Sequence, residues 1–322
     1  MKISFSTLAC PDFSWTDIYT MAKDLGFGGI EIRGLGEDIF AVNARPFTDE
    51  RLPKTLEKLQ SLGLEIPCLA AGCALKYKED FDKNISEIVQ YIVLAKKLGT
   101  PYIRVLGDRY PQPEGDVDDA FVVDALKLLG VIAQGFNVCL LVETNGVYSD
   151  TKRLRELLDK VNMPSVAALW DMHHPYRYAG ESPRETVQNL GGLIKYVHVK
   201  DSVMVDGRPQ YRMMGEGDLP IDAMMRALRS INYEGYVTLV NVKYGKDDEL
   251  VETTERTGIW AWKHPHHDGT TTYHKLESPL PMSILAMCRK RPFCMGSTSM
   301  AARARRLPLS APPVPAKRPS PT

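Results

Sequence analysis

The chain lacks any long apolar run. No stretch of its 322 residues approaches the roughly 18 unbroken apolar residues of a membrane span. The first residues, MKISFSTLACPDFSW, also lack the apolar segment of about 7–15 residues that a secretory signal requires. The sequence therefore predicts a cytoplasmic protein with no membrane partner.

Two kinds of motif are missing as well. The six cysteines form no CxxC pair, which argues against a disulfide framework and against a thiolate zinc site. No GxGxxG follows the first predicted strand, so a dinucleotide-binding fold loses its strongest support. We expect reduced thiols and no nucleotide cofactor of that type.

Charge and proline are unevenly distributed. Residues 264–322 hold nine of the 40 basic and two of the 40 acidic residues, which leaves 31 basic and 38 acidic residues in 1–263. The same end holds ten of the 22 prolines. We predict a folded domain over 1–263 with a charge of −7 and a basic, low-complexity, disordered tail over 264–322. The acidic body argues against a nucleic-acid partner.

The body alternates short β-branched runs with segments of helical period, the pattern of βα units around a parallel sheet. Eight such units in about 240 residues predict an α/β protein, specifically a (β/α)8 TIM barrel. An open, doubly wound sheet is the alternative. The predicted strands are 2–7, 29–33, 64–71, 102–107, 138–145, 166–171, 196–201 and 236–240.

Chemistry in such a barrel lies at the carboxyl ends of the strands. Strands five, six and seven deliver a carboxylate, a carboxylate and an imidazole there, namely Glu143, Asp171 and His198. This set suits a divalent ion that accepts oxygen and nitrogen ligands. We predict Mn²⁺, Mg²⁺ or Co²⁺, with Zn²⁺ as a further candidate. Candidate substrate contacts near the same rim are Glu31, Arg33, Arg104, Asn145 and Lys200.

Several motifs resemble one family. LVETNGVYSDTKRL, ALWDMHHPYRYAGESPRETVQNLG, KYVHVKDS, YRMMGEGDLP and EGYVTL are similar, in order and spacing, to the sugar phosphate isomerase/epimerase group of the xylose isomerase-like TIM barrels. The resemblance covers residues 1 to about 250. It implies one divalent metal held by Glu143, Asp171, His198 and a second Glu from strand eight. It further implies a catalytic role for Glu143, a substrate or catalytic role for His174, and a substrate-side role for Glu216.

The chain departs from that family at strand eight. Val240 stands where the resemblance implies the fourth ligand, a Glu, and valine can neither coordinate a metal nor move a proton. After Lys243 the likeness ends altogether. Either the reading frame of the 3′ end is altered or the protein is a diverged member. We favour the first explanation, because divergence should not remove the likeness from all the following residues together.

The resemblance implies a sugar or sugar phosphate isomerase or epimerase that works through a cis-enediolate and is impaired by Val240. A small carbohydrate is the predicted partner, and self-association into a homo-oligomer is left open. Two alternatives remain: a catalytically inactive sugar-binding barrel, and a dehydratase or lyase acting on a polyol ketone or glycoside. An endonuclease of the same superfamily would need more histidines and a basic face, which the body lacks.

Overall fold

The computed structural model describes residues 1–240 and four short strands beyond them, Lys243–Tyr244, Leu250–Val251, Ala261–Pro265 and Thr271–Lys275. All eight predicted strands form. The strands of the main domain, in chain order, are β1 (Lys2–Ser6), β2 (Gly29–Glu31), β3 (Cys68–Ala74), β4 (Tyr102–Leu106), β5 (Cys139–Glu143), β6 (Val166–Asp171), β7 (Ile194–Val199), β8 (Asp201–Val205), β9 (Arg208–Arg212) and β10 (Tyr236–Leu239).

Eight of these strands form one parallel sheet that closes on itself. The order β2-β1-β10-β7-β6-β5-β4-β3 leaves β2 and β3 at its two edges. Isolated parallel bridges from Gly29 to Glu65 and from Ile32 to Leu69 join those edges. The protein is therefore a TIM barrel, as predicted, and β8 and β9 form a separate hairpin after β7.

Helices surround the barrel. Within residues 1–240 they are α1 (Trp15–Leu25), α2 (Leu52–Leu62), α3 (Phe81–Leu98), α4 (Asp119–Gly135), α5 (Thr151–Val161), α6 (Pro183–Leu190) and α7 (Ile221–Ser230). Capping boxes begin α1 at Ser14 and α6 at Ser182. Gly26, which follows the last residue of α1, has a φ of 78° and lets the chain turn directly into β2.

The structure departs most from the predicted elements at the third strand and after the seventh. The third strand begins at Cys68 rather than at 64, because the main chain around Glu65 makes only an isolated bridge to β2. The hairpin β8–β9 was not predicted, although its Asp206-Gly207 turn has positive φ at both residues, the signature of a tight hairpin.

The barrel interior divides into an apolar and a polar layer. Side chains alternate along each strand, so Leu141 and Glu143 share one face of β5, as Tyr196 and His198 do on β7. The amino-terminal layer is an apolar cluster that includes Cys68, Leu141, Leu169, Tyr196 and Tyr236. The next interior positions toward the carboxyl end are polar, and the candidate site lies there.

No helix among the described residues is long and apolar enough to span a bilayer. The predicted boundary near residue 263 falls within the short strand Ala261–Pro265, and the predicted tail lies outside the described residues apart from the end of that strand and Thr271–Lys275.

Candidate metal centre

The ends of β5, β6 and β7 bring Glu143, Asp171 and His198 together. One ligand atom from each lies within 4.8 Å of the others, and all three residues are buried. The register explains this meeting, because Asp171 pairs directly with His198 across β6 and β7. The three residues that the sequence singled out as ligands thus form one cluster.

Glu31 fixes the orientation of the His198 ring. Its Oε2 accepts a hydrogen bond from Nε2 of His198 at 2.7 Å, and both side chains are buried. The other ring nitrogen, Nδ1, therefore points at the carboxylates, 3.4 Å from Oε1 of Glu143 and 3.9 Å from Oδ2 of Asp171. In the neutral ring with its proton on Nε2, Nδ1 carries a free lone pair.

Both oxygens of the Asp171 carboxylate have polar neighbours. Its Oδ1 accepts a hydrogen bond from the His173 amide at 2.9 Å. Its Oδ2 has no hydrogen-bond partner, although the Lys200 ammonium forms an ion pair with it at 2.8 Å. Lys200 also donates to Nε2 of His174 at 2.9 Å, while Nδ1 of His174 donates to the carbonyl of Thr144.

Arg104 forms an ion pair with the Glu143 carboxylate. Its Nε lies 3.3 Å from Oε2 of Glu143, and its Nη1 donates to the carbonyl of Ala71 at 2.9 Å. Burial alone would raise the pKa of Glu143, but the charges of Arg104 and His198 lower it well below the ordinary value. Glu143 is therefore a carboxylate at neutral pH.

The other titratable groups of the cluster, Asp171, His198 and His174, also have shifted pKa values. Burial would raise the pKa of Asp171, but the neighbouring His174 and Lys200 lower it below its usual value. Burial would lower the pKa of His198, but Glu31 and Glu143 raise it to about 9. Burial lowers the pKa of His174 to about 4. Near pH 7 without a metal ion, His198 is an imidazolium and His174 is neutral.

The cluster fits a divalent ion. Nδ1 of His198 is buried without a hydrogen-bond partner, which is rare for a buried polar atom, and Oδ2 of Asp171, whose neighbour is the Lys200 ammonium, lies 3.9 Å from it. They converge with Glu143, so two carboxylates and one imidazole face a common point. This donor set matches hard and borderline divalent ions rather than soft ones.

Val240 occupies the position expected for a fourth ligand. Thr238 lies opposite His198 across β7 and β10, and its hydroxyl bonds Ser4 inside the barrel at 2.7 Å. Two residues later, Val240 lies on the same face; its amide donates to the carbonyl of Val199, and its side chain is buried. An alkyl group therefore stands next to Lys200, where a carboxylate was expected.

The predicted substrate contacts separate into two groups. Glu31, Arg104 and Lys200 touch the three candidate ligands directly. Asn145 instead donates both amide hydrogens to main-chain carbonyls of the loop after β4, those of Asp108 and Tyr110. Contact of any of them with a substrate stays a prediction.

Two predicted contacts lie farther out. The Arg33 guanidinium lies beside Gly72 of β3. Glu216 is exposed, and among the described residues its side chain makes no hydrogen bond or ion pair with the centre. The loop that carries it is anchored by Asp201, whose Oδ2 accepts from the Gly215 and Gly217 amides at 3.0 Å each.

Two tyrosine rings beside the candidate site, those of Tyr211 and Tyr178, were not predicted from the sequence. Tyr211 of β9 lies with its ring 5.7 Å from the Lys200 nitrogen and 5.3 Å from the His173 ring. Tyr178 lies 5.9 Å from the His174 ring. The Asp206-Gly207 turn was the one signal that could have placed Tyr211 on a hairpin next to strand seven.

A model of one protein family, described as the xylose isomerase-like TIM barrel, matches residues 20–271. The chain belongs to this family, and the resemblance noted in its motifs is confirmed. No curated protein sequence matches the chain.

Solved structures share the fold at low sequence identity. The probable 3-DHS dehydratase AsbF from Bacillus anthracis, involved in petrobactin synthesis, is 22% identical with a TM-score of 0.64 and covers 75% of this chain and 93% of its own. D-psicose 3-epimerase, solved with D-fructose, is 18% identical with a TM-score of 0.63 and covers 80% and 91%. The IolI protein, solved with a bound zinc atom, is 19% identical with a TM-score of 0.59 and covers 74% and 88%.

Proposed function

We propose that this protein binds one divalent metal ion through Glu143, Asp171 and His198. It would use that ion to move a proton next to the carbonyl of a hydroxycarbonyl compound. The proposed class is sugar or sugar phosphate isomerase or epimerase, with turnover reduced by Val240. The observation that carries the proposal is the convergence of Nδ1 of His198, which is buried without a hydrogen-bond partner, with the buried carboxylates of Asp171 and Glu143.

A bound divalent ion would polarise the substrate carbonyl and stabilise the enediolate that forms when a neighbouring proton leaves. Mn²⁺, Mg²⁺ and Co²⁺ suit the oxygen-rich donor set best, and Zn²⁺ is also compatible with it. The zinc in the related IolI structure supports a divalent ion of this kind.

Glu143 is the proposed base. It is ionised, and its Oε2 is held by Arg104, which leaves Oε1 on the side of His198. A carboxylate within about 3 Å of a carbon-bound proton can remove it and return it to the same or the neighbouring carbon. Glu143 would serve one face of the substrate.

His174 supports the site through Lys200. Both of its ring nitrogens are engaged, Nδ1 as a donor to Thr144 and Nε2 as an acceptor from Lys200. A ring in that state can orient the ammonium toward a substrate oxygen. A direct proton transfer by His174 would require the bond to Lys200 to break.

Epimerisation requires an acid/base group on each face of the substrate carbon. Val240 leaves the second face without one, so we expect slow turnover in the native chain. General acid–base groups typically contribute about 10²–10⁴-fold to rate. Val240→Glu should recover part of that factor, provided the rest of the barrel folds as described.

The test is solvent exchange. The full chain, loaded with Mn²⁺, is incubated in D₂O with dihydroxyacetone or hydroxypyruvate, and ¹H NMR follows loss of the protons next to each carbonyl. We expect slow metal-dependent exchange with at least one compound and exchange at least about tenfold faster in Val240→Glu. Glu143→Gln should abolish exchange. Metal-loaded protein that exchanges no faster than buffer, in both the native chain and Val240→Glu, would contradict the proposal.

Val240 favours a second candidate, a barrel that binds its ligand without turning it over. Binding of a hydroxycarbonyl compound without exchange, together with exchange in Val240→Glu, would indicate this alternative. The likeness to a probable dehydratase keeps elimination through the same enediolate in the same proposed class.

We also propose a barrel domain that ends near residue 263, followed by a separate basic tail over 264–322. Among the described residues, Cys10, Cys68, Cys73 and Cys139 are free thiols, which supports the proposed cytoplasmic location. A small carbohydrate remains the proposed partner.

A further inference from the structure

The β8–β9 hairpin packs against the residues that surround the candidate metal centre. Ser202 of β8 pairs with Tyr211 of β9, so both side chains lie on the same face of the hairpin. Both reach His173: the Ser202 hydroxyl shares a hydrogen bond of 3.0 Å with Nε2 of the imidazole, and the centroid of the Tyr211 ring lies 5.3 Å from that of the imidazole. The same tyrosine ring lies 5.7 Å from Nζ of Lys200, which contacts Asp171. One face of the hairpin therefore borders the centre.

A single buried carboxylate, that of Asp201, connects the two ends of this hairpin. Its Oδ1 accepts a hydrogen bond from the amide of Ser202 at 2.9 Å, at the start of β8. Its Oδ2 accepts from the amides of Gly215 and Gly217 at 3.0 Å each, in the loop after β9. A Cβ at Gly217 would collide with the Asp201 carboxylate, so only glycine lets the loop approach this closely. The glycines of the GEGD motif therefore close the loop around Asp201.

Arg177 ties the hairpin to the turn after β6. Its Nε donates to the Ser202 hydroxyl at 3.0 Å, and its Nη2 donates to the Ser202 carbonyl at 2.7 Å. The same Nη2 forms an ion pair with Asp218 in the loop after β9. The turn itself is a π-helical segment, Pro175–Ala179. The hairpin is thus held from two sides, and the Tyr211 ring has a fixed place beside the centre.

We propose that Tyr211 forms one wall of the substrate site and contacts the bound substrate, and that Asp201 positions this wall. The inference rests on the proposed function and adds to it a residue that determines specificity. The carbon-bound hydrogens of a hydroxycarbonyl compound pack against the apolar face of the ring, while its oxygens turn to the polar side of the site. Asp201 is a positioning residue, because it acts only through the hairpin that carries Tyr211.

Binding of dihydroxyacetone to the full chain loaded with Mn²⁺ tests the inference. Bound Mn²⁺ broadens the ¹H NMR signals of a ligand held near it, and a titration of this broadening gives the Kd. Tyr211→Ala should raise the Kd at least about fivefold, because it removes the ring. Tyr211→Phe keeps the ring and should stay within about twofold of the native Kd. The affinity for Mn²⁺ should be the same in both variants and the native chain.

Val205→Ala is the matched control. Val205 belongs to the same hairpin and is 36% exposed, but it lies on the opposite face from Ser202 and Tyr211. This variant should bind Mn²⁺ and dihydroxyacetone as the native chain does.

Asp201→Asn tests the positioning role. Asparagine has one acceptor oxygen in place of two, so some of the loop amides lose their partner. The Kd for dihydroxyacetone should rise as in Tyr211→Ala with the affinity for Mn²⁺ unchanged, and the amides of residues 203–212 should exchange deuterium faster. Adding Tyr211→Ala to Asp201→Asn should raise the Kd no further, because both act through one contact. Independent, additive effects would contradict the positioning role.

The outcomes separate this inference from the proposed function. If dihydroxyacetone binds near Mn²⁺ and Tyr211→Ala weakens it, but no proton exchanges with solvent in the native chain or in Val240→Glu, the inference stands and the proposed function fails. If exchange occurs but Tyr211→Ala leaves the Kd unchanged, or Tyr211→Phe raises it as much, the inference is overturned. A chain that binds neither Mn²⁺ nor dihydroxyacetone would overturn both. Should Asp201→Asn not fold, the Tyr211 variants still decide.

Discussion

Metal binding should expel a proton from His198. Without metal, Glu31 and Glu143 raise the pKa of His198 to about 9, so the ring is an imidazolium at pH 7. A metal ion binds only the neutral ring and must displace that proton. At pH 7, two units below that pKa, about 1% of the His198 rings are neutral. Raising the pH from 7 to 8 should therefore raise the apparent affinity for the metal ion about tenfold, which is about 1.4 kcal/mol.

Calorimetric titration of Mn²⁺ in HEPES and in Tris measures this directly, because the two buffers absorb the released proton with different heats. We expect close to one proton released per ion bound at pH 7. Heats that do not depend on the buffer, with an affinity that is flat between pH 7 and 8, would refute the reasoning.

Glu31→Gln isolates the cause. The amide oxygen can still accept a hydrogen bond from Nε2 of His198, but the negative charge is gone, so the pKa of His198 should fall and fewer protons should be released. Glu65→Gln is the matched control, since Glu65 forms a half-exposed ion pair with Lys2. The control should release as many protons as the native chain.

Two further predictions concern stability. Gly146→Ala should lower the free energy of unfolding by about 2–4 kcal/mol in urea titrations, because φ is +59° and the added Cβ would collide with the Asp108 carboxylate. The control is Gly192→Ala. Because the space around Gly192 is open, this substitution should change the free energy of unfolding by less than about 0.5 kcal/mol. The raised pKa of His198 stabilises the metal-free fold fully below about pH 6.5, and that contribution is lost as pH rises through about 9. The unfolding free energy should therefore fall by up to about 3 kcal/mol over that range, and an equal fall in Glu31→Gln would contradict the assignment.

The barrel itself was predictable from sequence because its signal is local and repeated. Each β-branched run is followed by a segment of helical period, and glycines such as Gly26 mark where helices end. The third strand was predicted to begin too early. Glu65 has apolar neighbours in sequence and an extended backbone, but it pairs with β2 only through an isolated bridge. An extended backbone alone does not show which strand it will pair with.

The candidate site was predictable only in part. Alternation and strand ends identified Glu143, Asp171 and His198, since those positions follow from the strand pattern alone. The direction of Glu31, which turns to His198, depends on the closure of β2 against the rest of the barrel. Glu216 sits in a motif that suggested substrate contact, but the amide anchors on Asp201 hold its loop where Glu216 is exposed.

The most direct test of the account is a titration of the full chain with Mn²⁺ at pH 7.5, compared with Asp171→Asn. We predict one ion bound per chain and an affinity at least about tenfold weaker in the variant, a difference of about 1.4 kcal/mol or more. Asp159→Asn, in an exposed ion pair with Arg155, should bind as the native chain does. No binding by the native chain, or equal binding by Asp171→Asn, would contradict the metal centre.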